Sequence, residues 1–300
     1  MAELNCDSSL VNSGSPECDQ RPGQVIGYVL TPTDAEIADV ATAILEATWT
    51  TGTNLAEASR WYPIIFDKYR TDSTPTDDEP VLYEGNMANR RVKTRDGNNR
   101  DVITFSNMPN CLVKALKSYD GQKWKAYRIT ENKHIQGTSA AGTKLEPLTI
   151  KFFAGQHVKP ASADEPWKMS YYIDLVDPNE WDKLGQWAIP TAFDPRELEG
   201  IKDVDLTLVS ASTSAIVVDV TGDCDSVGFA SLVTADWTLT INSTGATVSI
   251  SSCTESTSTT GRFTLAGTFT TVLHDLDLAQ QPDSTTKNVE STGSIAVTPS

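Results

Sequence analysis

The chain has 300 residues, with 40 Asp and Glu against 24 Lys and Arg, a net charge of −16 and a pI near 4.5. That balance repels nucleic-acid phosphate and anionic membrane surfaces, and argues against a general nucleic-acid binder or a peripheral membrane protein. At 39% hydrophobic and 8% aromatic the chain can bury a core, which excludes wholesale disorder, and no apolar run reaches the ~18 residues of a membrane-spanning helix.

Met1–Cys6 has no basic n-region and no apolar h-region, so no Sec-type leader is expected. Residues 1–23, rich in Ser, Asn, Gly, Pro and Asp, read as an extended arm. Gln24–Leu30 has the composition of a short strand. Thr33-Asp34-Ala35-Glu36 has capping-box spacing, and Ile37, Val40, Ala41, Ile44, Leu45 and Thr48 follow as one apolar stripe. The spacing predicts an amphipathic helix over residues 34–48. An acidic, turn-rich segment, Thr71–Pro80, comes next, and Val81-Leu82-Tyr83 opens a strand.

Asn89–Arg95 and Arg100–Ser106 flank Asp96-Gly97-Asn98-Asn99, which predicts a β-hairpin over residues 89–106. Cys111–Ser118 fits a short helix or a strand. Trp124–Thr130, Leu148–Phe153 and Met169–Val176 read as strands, with a long loop through Gly155–Pro166 and a helical turn at Asp177–Trp181.

Composition changes near residue 200. Residues 201–300 hold 35 Ser and Thr but only three basic residues, Lys202, Arg262 and Lys287. The expected organisation is an arm (1–23), a β-rich domain (24–200) and a Ser/Thr-rich β-sandwich (201–300). Its strands are expected at Val204–Val209, Ala215–Val220, Ala235–Ile241, Ala246–Ile250, Arg262–Thr271 and Gly293–Val297, with Glu255–Thr260 as a mobile loop. The fold class is therefore mainly β. The first domain would be an α+β antiparallel sandwich or barrel carrying one helix, and the second an Ig-like sandwich.

No catalytic motif is present: GxSxG, a Walker loop, HExxH and GxGxxG after a strand are all absent. The five cysteines, Cys6, Cys18, Cys111, Cys224 and Cys253, are odd in number and lack a CxxC, which points to a reducing compartment. Small buried apolar residues is their plainer role, though Cys224 and Cys253 share a domain and have the option of pairing. His134, His157 and His274 show no metal-ligand spacing. Asp174, Asp177, Glu180 and Asp182 offer acid–base or Ca²⁺ chemistry, as do Asp219, Asp223 and Asp225 for Ca²⁺; capping carboxylates in turns is the simpler expectation. Trp124, Trp167, Trp181 and Trp187 fit either a sugar-stacking platform or core and interface anchors, the latter favoured by their apolar surroundings.

The densest basic patch is Arg90, Arg91, Lys93, Arg95 and Arg100, five cations in eleven residues. It is complementary to the acidic Asp72, Asp77, Asp78 and Glu79, so like subunits would attract one another through the two patches. These nine are the candidate subunit-interface residues.

The order of parts resembles the tail tube proteins of long-tailed bacteriophages with a C-terminal Ig-like domain. The resemblance rests on the arm, the helix at 34–48, the polar hairpin at 89–106 and the strand Asp120–Ile129, with its charged turn followed by an aromatic-Lys/Arg-Ile pattern. Ser294–Ser300 is similar to the terminal strand of phage surface Ig-like domains. The resemblance implies a non-enzymatic virion protein, assembled in the host cytoplasm, without cofactor or metal. Its partners would be further copies of itself in hexameric stacked rings, other tail or head proteins, and DNA passing through the lumen without specific binding; the C-terminal domain would touch glycans weakly. An auxiliary capsid or head-surface protein, and a carbohydrate-binding surface protein, are the alternatives.

Overall fold

Period-two alternation of apolar side chains recurs along most of the chain, and the computed structural model is accordingly mainly β, with nineteen strands and three α-helices among the described residues. Described are residues 23–55, 57–65, 70–75, 81–84, 91–95, 97, 99–140, 142–153, 160–162, 164, 166–224, 226–278 and 289–300. The expected arm, apart from Gly23, and most of the loop at 155–166 lie outside them. The chain divides into two units, Met1–Met108 with Leu112–Gly200, and Pro109–Cys111 with Ile201–Ser300.

The first unit contains β1 (Val25–Thr31), α1 (Glu46–Thr53), β2 (Tyr62–Ile64), β3 (Arg70–Pro75), β4 (Val81–Glu84), β5 (Arg91–Arg95) and β6 (Arg100–Ser106). There follow α2 (Asn110–Ser118), β7 (Lys123–Thr130), β8 (Ile135–Thr138), β9 (Leu148–Phe153), β10 (Lys168–Leu175), α3 (Glu180–Leu184) and β11 (Gly185–Ala188). Nine strands form one antiparallel sheet in the order β11-β8-β7-β9-β10-β6-β3, with β1 on β7 and β2 on β1. The sheet forks at β7: Lys123–Ala126 pairs with β9, and Arg128–Ile129 with β8.

The fork creates two cores. On one side Tyr28, Leu30, Ile103, Phe105, Ala126, Ile150, Phe152, Tyr171 and Ile173 pack together, capped by Val113 and Leu116 of α2. Tyr171 Oη donates to the Ile64 carbonyl at 3.5 Å and Tyr28 Oη donates to Asp101, so the sheet curls until β1 and β2 face β6 and β10 across this core. On the other side Ile26, Val29, Tyr127 and Ile129 meet Ile37, Val40, Trp49 and Trp61. There Trp49 and Tyr127 lie edge to face at 5.0 Å, and Trp49 and Trp61 at 5.5 Å.

The helix expected at 34–48 does not form. Ile37 instead exchanges two backbone hydrogen bonds with Leu145 at 2.9 Å, and Val40 N–H donates to the Thr143 carbonyl at 2.9 Å. A 3-10 turn at Val40–Thr42 follows, with Asp39 accepting from Ala41 N–H, and the α-helix begins only at Glu46. Ile37 and Val40 are buried as the stripe requires, but Ala41 and Leu45 are exposed and Ala43 is buried in their place. The Glu36 carboxylate pairs with Lys144 Nζ at 2.8 Å rather than closing a capping box. A neighbouring segment supplied backbone partners, and tertiary pairing overrode the local spacing.

The second unit contains β12 (Lys202–Ala211), β13 (Ala215–Gly222), β14 (Trp237–Ile241), β15 (Ile250–Glu255), β16 (Arg262–Gly267), β17 (His274–Leu278), β18 (Val289–Ser291) and β19 (Ile295–Val297). They form a five-stranded sheet, β15-β16-β13-β12-β18, and a three-stranded one, β14-β17-β19. Alternate residues of both, including Ile216, Val218, Val220, Phe263 and Leu265 against Trp237, Leu239, Leu276 and Val297, share one core. The strand expected at Ala246–Ile250 begins at Ile250, and β17 and β18 were not anticipated. Glu255–Thr260 is the end of β15 and a turn in which Ser256 Oγ accepts from the Ser258 and Thr259 amides. Cys224 is joined to Cys111 by a disulfide, with Cα atoms 5.3 Å apart, and Cys253 is free, so the Cys224–Cys253 option is not taken.

Candidate assembly surfaces

The two strands expected to form a hairpin over 89–106 are present but take other partners. Strand β5 pairs with β4, and β6 with β3 and β10, so β5 and β6 are not partners. In both the β3–β6 and β4–β5 ladders the paired residue numbers add to 175 or 176. The two ladders share one register, although β4 and β5 form a two-stranded sheet of their own; Asp96 and Asn98 of the expected turn lie outside the described residues. Asp-Gly is the strongest local turn signal, but each flanking strand finds its partner in a more distant segment.

The charged patches fall only partly within the described residues. Asp72 lies on β3, and Arg91, Lys93 and Arg95 on β5, with Arg91 in register opposite Glu84 and Arg95 opposite Val81. Arg90, Asp77, Asp78 and Glu79 lie outside the described residues. Arg100 opens β6 and is separated from the β5 cations. Its Nε and Nη2 donate to the two Asp174 oxygens at 2.6 and 2.8 Å, and its guanidinium lies 5.5 Å from the Tyr172 ring centroid.

Register assembles another charge row that no sequence spacing announces. Across β7, β9, β10 and β6, Lys123 stands opposite Lys151, Lys151 opposite Asp174, and Asp174 opposite Arg100. In the next row Phe153 faces Tyr172, which faces Val102. Both rows lie on the solvent side, since Ile150, Phe152, Ile173 and Ile103 fill the core side. Phe153 is 41% exposed.

The strands β2, β3 and β11 each pair with a single strand among the described residues and so form the outer strands of the sheet. A buried charged network lies among the described residues. Arg128 donates to Asp101 at 3.1 Å, to Asn99 Oδ1 at 2.7 Å and to Tyr28 Oη at 3.2 Å. Burial pushes the Tyr28 phenol well above its ordinary pKa. With every member bonded to another, the network reads as a tie across the curled sheet.

The remaining candidates are spread among structural tasks. Asp174 holds Arg100, Glu180 accepts from the Thr149 amide at 3.0 Å, and Asp177 accepts from the Asn179 amide at 2.9 Å; Asp182 is exposed. Asp219 takes two bonds of 2.7 Å from Arg262, which hold its carboxyl below the usual range. Asp223 is exposed, and Asp225 and His157 lie outside the described residues. Among the described residues no three His, Cys, Asp or Glu side chains gather as a metal site. Trp124, Trp167 and Trp181 pack against the first core, and Trp187 stacks on Trp181 at 6.2 Å. His134 and His274 are buried. Among the described residues no helix is long and apolar enough to cross a membrane.

No protein-family model matches the chain, and no curated protein is found similar to it.

Proposed function

We propose that the chain is a non-enzymatic, self-assembling virion protein, a tail tube subunit whose stacked rings conduct DNA. The observation that carries this reading is the curled antiparallel sheet, whose outer strands β2, β3 and β11 each pair with a single strand among the described residues. A free strand edge offers N–H and C=O groups to any extended segment and is a hazard in a lone subunit, but it is satisfied when like subunits close a ring. The second unit has its own core and reads as a decoration, available for weak contact with glycans. A subunit charge of −16 repels phosphate, so DNA passes such a conduit without being held, and the other partners are tail or head proteins.

Negative-stain electron microscopy of the concentrated chain, with light scattering alongside, tests the reading. Rings or hollow tubes are the expected result. A chain that stays monomeric at every concentration, including after addition of preformed tail-tip complexes as nuclei, would refute it.

A further inference from the structure

Each unit carries a charged sheet face that its own fold does not neutralise, and the two faces are opposite in sign. On the first unit, Lys123 stands opposite Lys151 on the solvent side of β7 and β9. Like charges directly opposite each other in an antiparallel pair are destabilising. Neither lysine has an ion-pair partner among the described residues, because the carboxylate nearest in register, Asp174, is held by Arg100. Phe153, two residues beyond Lys151 on the same side of β9, is 41% exposed. An apolar ring thus stands about 7 Å along the strand from a pair of cations.

The matching face is on the second unit. Leu273, Asp275 and Asp277 alternate with the buried His274, Leu276 and Leu278, which places all three on the solvent side of β17. The ladder reaches Leu273, whose carbonyl accepts from the Asn242 amide at 3.0 Å, and Leu273 is 43% exposed. Asp275 Oδ2 accepts from Asn242 Nδ2 at 2.7 Å, and Asp277 Oδ1 accepts from the Leu278 amide and the Ser291 hydroxyl. These bonds fix both carboxylates, and the second oxygen of each has no partner among the described residues. The strands β14, β17 and β19 contain no Lys or Arg, and residues 201–300 hold eleven Asp and Glu against three Lys and Arg.

We propose that this face of β17 docks on the Lys123–Lys151 face of a second copy of the chain, with Asp275 and Asp277 receiving the two lysines and Leu273 packing on Phe153. In both faces the apolar side chain lies two residues along the strand from a charged one, about 7 Å away, so the ionic and apolar contacts form in one register. Each lysine gains the counter-charge that its own subunit does not give it. The contact is heterologous: one patch of a subunit meets a different patch of the next, the geometry that builds rings or stacks rather than closed pairs. The inference rests on the self-assembly reading and goes beyond it by giving the second unit a part in assembly.

The test uses the full chain and two charge reversals, Lys123→Glu with Lys151→Glu, and Asp275→Lys with Asp277→Lys. Self-association is followed by sedimentation velocity at about 0.05 M and about 0.5 M salt, since exposed charge pairs are screened at the higher value. Each variant alone is expected to associate about 10- to 100-fold more weakly than wild type at low salt, with far-UV circular dichroism unchanged. Should the aspartate reversal disturb β17, Asp275→Asn with Asp277→Asn keeps an acceptor oxygen at each site while removing the charge, and is expected to weaken association about 10-fold. An equimolar mixture of the two reversals is expected to regain association, because an intact acidic face then meets an intact basic face and the reversed pair is complementary too.

Wild-type-like association of the lysine variant or of the asparagine variant, or a mixture that fails to recover, overturns the docking surface while leaving assembly standing. A wild-type chain that never associates overturns both. Binding of a single-stranded oligonucleotide that is lost in the lysine variant, with self-association unaltered, would place nucleic acid on the lysines and equally overturn the proposal.

Discussion

Replacing Asp101 by Asn should be among the most damaging single changes in the first unit. Asp101 and Arg128 are almost fully buried, with side-chain exposures of 10% and 7%, and Tyr28 is wholly buried. The substitution keeps shape and one acceptor but leaves the Arg128 guanidinium in the interior without a counter-charge. Breaking a buried pair in this way costs about 3–5 kcal/mol. That is a large share of the roughly 5–15 kcal/mol that holds a domain folded, and for a unit of this size corresponds to a fall in Tm of about 10 °C. Tyr28→Phe, which removes one donor to Asp101 and one acceptor from Arg128, should cost less, about 1–3 kcal/mol. The triple change Tyr28→Phe, Asp101→Leu, Arg128→Met should be less harmful than Asp101→Asn alone, since no buried charge remains. Urea unfolding followed by tryptophan fluorescence reports on the right unit, because six of the seven tryptophans lie before residue 200 and Trp237→Phe removes the other. A loss below about 1 kcal/mol for Asp101→Asn would mean that water reaches the pair, and the tie across the curled sheet would be refuted.

Gly52→Ala should destabilise by about 1–3 kcal/mol through overpacking, because a Cβ there would lie 2.4 Å from ring carbons of Trp61, itself wedged against Trp49; unchanged urea midpoints would count against the packing described. A non-reducing proteolytic digest should yield a Cys111–Cys224 cross-linked peptide and an unlinked Cys253 peptide by mass spectrometry, and a Cys224–Cys253 peptide would contradict the fold of the second unit. Asp194 is held well below the usual carboxylate range, first by the Arg196 side chain that donates to it and also by Lys133 at 3.0 Å. A carboxyl with a lowered folded pKa contributes stability above its unfolded value of about 4 and loses it as pH falls through the folded one. The stability gap between wild type and Asp194→Asn should therefore be constant near neutrality and close on acidification; a gap independent of pH would remove the ion pair from the account.

Alternation and composition determined the limits of several strands, though not of β15, β17 or β18. Leu148–Phe153 alternates apolar and polar and forms β9 with those limits, Trp124–Thr130 becomes β7 with one added lysine, and Ala215–Val220 becomes most of β13. These are local properties, set by which side chains face a core, and a one-dimensional pattern carries them. Partner choice is not local. The stripe from Ile37 to Thr48 has helical spacing, yet Leu145 offered its backbone and took Ile37 into a ladder. Asp96-Gly97 has the strongest turn chemistry in its region, yet β5 pairs with β4 and β6 with β3 and β10. Cys111 met Cys224 across 113 residues, and Lys123 came to face Lys151 only because β7 lies on β9 in one register. Each of these depends on which distant segments the two cores bring side by side and on the register that keeps apolar side chains facing inward, a condition satisfied only by the assembled fold.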